Sequence, residues 1–198
     1  MVIILLSIFL LFIAVQTNAQ VQLAAGAGIS GSVNMGEIGP SPVFRGTLVT
    51  GDKFRFENDF EFSPMDKYTK AGWSVSDGVG VLVFPSDSGL FFIGGADYRH
   101  RNGGSWAKDG VRIGGGIGYE KDNSQLRFSV KDKVISLNDN VKYYPYFEFL
   151  ARGDYPLQNS NWSLRTEAEI GLFKYVQNNI KRTAFYSNAI LGLVYKWP

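Results

Sequence analysis

With 198 residues, 20 basic against 18 acidic side chains and a formal charge of +2, the chain is too evenly charged to point to nucleic acid or to a strongly acidic partner. It contains no cysteine, which excludes a disulfide framework, a thiolate metal site and a lipid-modified cysteine anchor. Aromatic residues make up 15% and glycines number 23, beside runs of Val, Ile, Phe and Tyr that suit a pleated surface, so the length fits one domain of all-β class.

The chain opens on MVIILLSIFLLFIAVQTNAQ, apolar from Val2 to Val15 and then polar, with Thr17 and Ala19 placed as the small residues of a cleavage site. This predicts a signal peptide over residues 1–19 and a mature domain over residues 20–198. The apolar run, about 14 residues, falls short of the ~20 that a transmembrane helix needs. No Lys or Arg precedes it, a departure from the usual positive start, and an uncleaved anchor is the alternative.

No helical period follows. Ten alternating segments appear instead: Val21 to Val33, Val43 to Thr50, Lys53 to Phe62, Trp73 to Phe84, Leu90 to His100, Val111 to Glu120, Leu126 to Ser136, Val141 to Arg152, Trp162 to Phe173 and Thr183 to Trp197. Each is near the ~9–11 residues of a tilted strand that crosses a bilayer. Thr50-Gly51-Asp52, PSDSG at Pro85 to Gly89 and KDNS at Lys121 to Ser124 read as tight turns. Longer polar stretches lie between them, from Asn34 to Pro42, Ser63 to Gly72, Arg101 to Gly110 and Lys174 to Arg182. This rhythm of short and long connections predicts an antiparallel up-and-down transmembrane barrel of eight to ten strands, with ten favoured. Two connections break it: SLNDN at Ser136 to Asn140 is short, and GDYPLQNSN after Arg152 is long.

The third segment poses the question of which face is wet. Phe54, Phe56, Phe60 and Phe62 alternate with Lys53, Arg55, Glu57, Asp59 and Glu61, so one face is aromatic and the other charged. In Val111 to Glu120 and in Trp162 to Phe173 the polar face is also rich in glycine. Glycines on an exposed outer face would only weaken strands, whereas inside a narrow barrel they make room for long charged side chains. The charges are therefore expected inside and the phenylalanines against lipid. The predicted interior sets Arg45, Arg55, Arg112, Arg127, Lys131, Lys133, Arg152 and Arg165 against Glu57, Asp59, Glu61, Asp97, Glu148, Glu167 and Glu169. Buried charges persist when paired and hydrogen-bonded, which predicts a networked plug that closes the barrel. Trp73, Tyr143, Tyr144, Tyr146, Trp162, Tyr195 and Trp197 are candidates for interfacial girdles.

Other motifs carry little. Gly26 to Gly31 spells the dinucleotide fingerprint but lies within a strand, without the helix that the fingerprint needs. Arg152-Gly153-Asp154 spells an adhesion tripeptide, a match frequent by chance. The lone histidine, His100, sits between Arg99 and Arg101, with Ser105 and Glu120 able in principle to complete a catalytic triad, and a solvated loop residue is the preferred reading. The same basic trio suits lipopolysaccharide phosphates. One histidine and no cysteine leave no metal constellation, and no cofactor is expected.

Taken together, the signal ending in TNA, the first strand QVQLAAGAGISGSV and the closing strand AILGLVYKWP, with Leu191, Leu193, Tyr195 and Trp197 on one face, resemble the small outer-membrane β-barrel proteins of Gram-negative bacteria, of OmpA, OmpX and opacity type. The resemblance covers the whole chain and is architectural. It implies outer-membrane location, contact with membrane lipid and lipopolysaccharide, and insertion by the barrel-assembly machinery. That machinery reads a terminal aromatic residue; here Trp197 is followed by Pro198, a departure from the pattern. The expectation is a non-enzymatic barrel with a structural or surface-interaction role and an unknown surface partner. The alternatives are a narrow pore, a soluble lipocalin-like binder with the faces reversed, and a lipid A-modifying enzyme.

Overall fold

The computed structural model describes residues 21–33, 41–51, 53–64, 73–102, 110–136, 142–177 and 180–197. The expected signal peptide, Ser105 and most of the long connections lie outside these residues. Ten strands form among the described residues, and no helix: β1 (Val21–Val33), β2 (Ser41–Thr50), β3 (Phe54–Ser63), β4 (Trp73–Val83), β5 (Leu90–Asn102), β6 (Gly110–Lys121), β7 (Ser124–Ser136), β8 (Lys142–Pro156), β9 (Trp162–Gln177) and β10 (Ile180–Lys196). Each pairs antiparallel with its sequence neighbours, and β1 pairs with β10, so the sheet closes into a barrel without an open edge.

Tight turns gather at one end. Gly51, Gly89, Asp122 and Asn159 hold positive φ there, one per turn, the left-handed conformation that Gly adopts freely and that Asp and Asn tolerate. Backbone hydrogen bonds then link neighbouring hairpins around that rim, with Phe84 N–H donating to Lys53 O, Glu120 to Gly89 and Asp154 to Asn123.

Two connections differ from the sequence expectation. The stretch Lys174 to Arg182, expected as a loop, belongs mostly to strands: Lys174 pairs with Thr183 and Gln177 with Ile180. Lys, Tyr, Gln and Arg read as loop by polarity, yet backbone pairing past the apolar band asks nothing of side-chain hydrophobicity. GDYPLQNSN likewise begins inside β8, which runs on to Pro156 and leaves a shorter turn from Leu157 to Asn161.

The two faces differ sharply. Phe54, Phe56, Phe60, Phe92, Ile117, Phe128, Phe149, Ile170, Leu191 and Leu193 are exposed on the outside, while Glu57, Glu61, Arg127, Arg152, Arg165, Glu167 and Glu169 are buried. This is the reverse of a water-soluble barrel that encloses an apolar ligand. Phe62 is half-buried and stacks on Phe44 with ring centroids 6.4 Å apart; Tyr195 is half-exposed and packs between Trp162 and Trp197, at 4.9 and 4.7 Å. One girdle candidate is misplaced: Tyr146 points inward, 5% exposed, and stacks on Tyr186 at 5.5 Å. Its even position on β8, shared with Glu148, Leu150 and Arg152, puts it on the inner face. The side chains of Tyr143 and Tyr144 lie outside the described residues.

Candidate functional site

Inward side chains from most of the strands meet in the lumen as a network of ion pairs. Its centre is Glu57 of β3, gripped from the far wall: Oε2 accepts from Arg127 Nη2 of β7 at 2.5 Å and Oε1 from Arg152 Nη1 of β8 at 2.6 Å. These bonds are chords across the barrel, since β8 lies five strands from β3 around the ring. Arg152 also donates through Nε to Glu167 Oε2 at 2.8 Å, and its Nη2 lies 3.7 Å from Asp59. Glu167 binds Arg45 of β2, whose Nη2 donates at 2.5 Å to both Glu61 and Glu169.

Towards the loop end, the Tyr186 hydroxyl donates to Glu169 and reaches Glu148 at 3.4 Å. Lys131 bridges Glu148 at 3.1 Å and Asp97 at 3.3 Å, and Asp97 accepts from Arg112 Nε at 2.6 Å. The Arg112 guanidinium lies 4.7 Å from the centre of the Tyr146 ring. Towards the turn end, Arg55 donates to Glu120 at 2.6 Å, Gln125 ties Glu120 to Arg127, and Arg165 grips Asp154 through two bonds of 2.7 and 2.9 Å. Two-pronged Arg–carboxylate contacts are the strong, directional kind.

Of the fifteen charged residues expected inside, fourteen take part in these contacts: Arg55, Glu57, Asp59, Glu61, Arg112, Arg127, Glu148, Arg165, Glu167 and Glu169, together with Arg45, Asp97, Lys131 and Arg152. The side chain of Lys133 lies outside the described residues. Sequence reasoning missed Glu120, Asp154 and Tyr186 as partners. Asp154 shares its strand parity with Arg152, a usable signal that its turn-like Gly-Asp setting concealed. Because Asp154 is buried against Arg165, Arg152-Gly153-Asp154 is no accessible tripeptide. The glycine fingerprint at Gly26 to Gly31 is strand β1.

Glycines on the inner face receive aromatic rings. A Cβ on Gly171 would stand 1.7 Å from the Tyr186 ring, and one on Gly118 would stand 2.1 Å from Phe91. Elsewhere the small residues leave space. A cavity of about 110 Å³ separates the network from the wall formed by Ser76, Gly78, Gly80, Gly95 and Gly114, and a second, about 60 Å³, opens near the turns between Gln22, Arg55, Gln125 and Lys196. Glu57 and Arg152 line both, so this ion pair lies between them, beside Arg127 and Gln125.

Of the residues weighed for a catalytic triad, His100 and Glu120 are described and lie apart, while Ser105 lies outside the described residues. The His100 ring packs on Trp73, 5.1 Å away, near the loop end of β5, whereas Glu120 is held by Arg55 at the turn end of β6. Among the described residues no group of three His, Asp or Glu side chains is arranged to hold a metal.

No family model matches the chain, and no curated protein matches it in sequence. Among solved structures, the outer membrane protease OmpT from Escherichia coli superposes with a TM-score of 0.56 over 90% of this chain and 97% of that one, at 8% identity. A major outer membrane protein from Thermus thermophilus aligns over 90% of this chain and 99% of that one, at 15% identity and a TM-score of 0.39. The first likeness carries the comparison, and at 8% identity it is one of architecture: this chain folds as a closed ten-stranded antiparallel barrel of the outer-membrane kind.

Proposed function

We propose that this protein is a non-enzymatic outer-membrane barrel, closed to solutes by its interior ion pairs, with a structural or surface-interaction role exercised through its long connections. The observation that carries the reading is Glu57 held by Arg127 and Arg152 from the opposite wall, because such chords occupy the lumen and fix its width. The outer surface supports the location. Large apolar side chains are exposed on every strand whose outward face is described, far beyond the few hundred Å² that a soluble monomer shows in one patch. Residues 1–19 would direct export, the closing strand would engage the barrel-assembly machinery, and the outer surface would contact membrane lipid and lipopolysaccharide. No nucleic acid or cofactor enters the reading.

The test is fractionation combined with thiol labelling and bilayer recording. Phe56→Cys is expected to stay protected from an impermeant reagent in outer-membrane fragments while Ser86→Cys, in an exposed turn, labels. The wild-type protein is expected to show no conductance steps. Recovery as a soluble periplasmic protein would overturn the location, and discrete steps would favour a narrow pore. That second reading draws on the two cavities, which have Glu57 and Arg152 in common between them.

A further inference from the structure

We propose that the outward face of β3 and β4 is the contact surface for a second copy of this chain, with Asp77 and Asn58 exchanging hydrogen bonds across a two-fold axis. The inference rests on the membrane reading above. On β3 the outward positions are Phe54, Phe56, Asn58, Phe60 and Phe62, and on β4 they run from Trp73 through Val75, Asp77, Val79 and Val81 to Val83. Asn58 and Asp77 interrupt an otherwise apolar surface. The Asn58 amide donates to Asp77 Oδ1 at 2.8 Å and to the Gly78 carbonyl at 2.9 Å.

Their depth makes them costly. Asn58 lies four residues from Phe54, and Asp77 four residues from the rim residue Trp73. A strand tilted by ~40° climbs about 2.5 Å per residue, so both sit roughly 10 Å inside an apolar band ~25 Å tall. A carboxyl group at that depth is expensive unless its hydrogen bonds are met, and ionisable groups there mark functional surfaces.

Within one copy they are met only in part. Among the described residues the Asn58 amide is the one partner of Asp77. Both hydrogens of that amide are engaged, so Asn58 Oδ1 is left to accept. Asp77, in the neutral form that hydrocarbon tolerates, has an O–H to donate. Each copy therefore offers one donor and one acceptor. Barrels inserted in the same direction present them at one depth, and a two-fold axis along the membrane normal brings donor to acceptor twice. Lipid chains offer neither. Val75, Val79 and Val81 flank the pair with short side chains, which lets two sheets approach closely.

Because the chain has no cysteine, single-cysteine cross-linking in native outer membranes reads this directly. Val79→Cys is expected to give a covalent homodimer under oxidation, at several-fold higher yield than Ile170→Cys on β9, five strands away around the ring. Adding Asp77→Leu should lower the Val79→Cys dimer roughly tenfold while the barrel stays in the membrane fraction, since paired polar contacts between membrane segments are of that order. Adding Asp77→Asn should preserve it, because an amide at 77 supplies the same neutral donor. A membrane-inserted Val79→Cys protein that stays monomeric, a dimer indifferent to Asp77→Leu, or a cross-link to a protein of another mass would each overturn the proposal. Recovery outside the membrane would overturn the membrane reading itself, and fractionation distinguishes the two failures.

Discussion

Two ion pairs of this protein illustrate how much the surroundings of a charge decide. Lys53 and Asp87 face each other at 3.9 Å in open solvent, whereas Glu57 is buried with a guanidinium on each oxygen. Solvated pairs contribute little, since water screens them and ordering two long side chains opposes the gain. Removing one partner of a buried set is different, because the remaining charges stay buried without compensation. Glu57→Ala is therefore expected to destabilise the barrel by about 3–5 kcal/mol, measured as urea unfolding of the lipid-reconstituted protein. Lys53→Ala should leave the same transition unmoved. Equal effects from the two substitutions would remove the network from any account of stability.

At the scale of the strand, alternation was the legible signal. In β3 the even residues reach the outside and the odd ones the lumen, so Phe56 and Glu57 separate by parity alone. Which carboxylate an inward Arg would meet was not legible, because Arg45 reaches Glu167 and Glu169 on β9 only through the stagger that closure imposes on the strands. Parity also held the answer for Tyr146, where the habit of assigning tyrosines to interfaces prevailed over strand position. The same geometry explains the paired glycine and ring of β9 and β10. Gly171→Val would drive a side chain into Tyr186, which could move only by giving up Glu169 and its stack on Tyr146. Overpacking of this kind costs typically about 1–3 kcal/mol. Gly171→Val should accordingly lower the unfolding midpoint, and the double variant Gly171→Val/Tyr186→Ala should recover part of the loss; no recovery would refute the proposed clash.

For the barrel as a whole, the asymmetry of its interior matters most. Long charged side chains fill one side of the lumen and glycines line the other, so the charged plug leaves a cavity along the β4–β6 wall. Glu57 and Arg152 stand between that cavity and the one near the turns. Replacing both with serine leaves the net charge of the lumen unchanged, takes the carboxylate of Glu57 from Arg127 and leaves Glu167 to Arg45, and it should join the two cavities and produce conductance steps not expected of the wild type. A silent double variant would mean that the remaining network closes the lumen unaided. The seam between β1 and β10 has a further consequence. It is zipped from Gln22 opposite Lys196 to Val33 opposite Phe185, so β1, paired with β2 on one side, waits for β10 before its other side is paired. Until then the sheet has two raw edges able to recruit any other extended chain, and a molecule stopped short of β10 keeps both, on β1 and on β9, permanently. Completing the final hairpin is thus the step that turns an adhesive ribbon into an inert ring, and a carrier that shields the unfinished chain has to hold it until that moment.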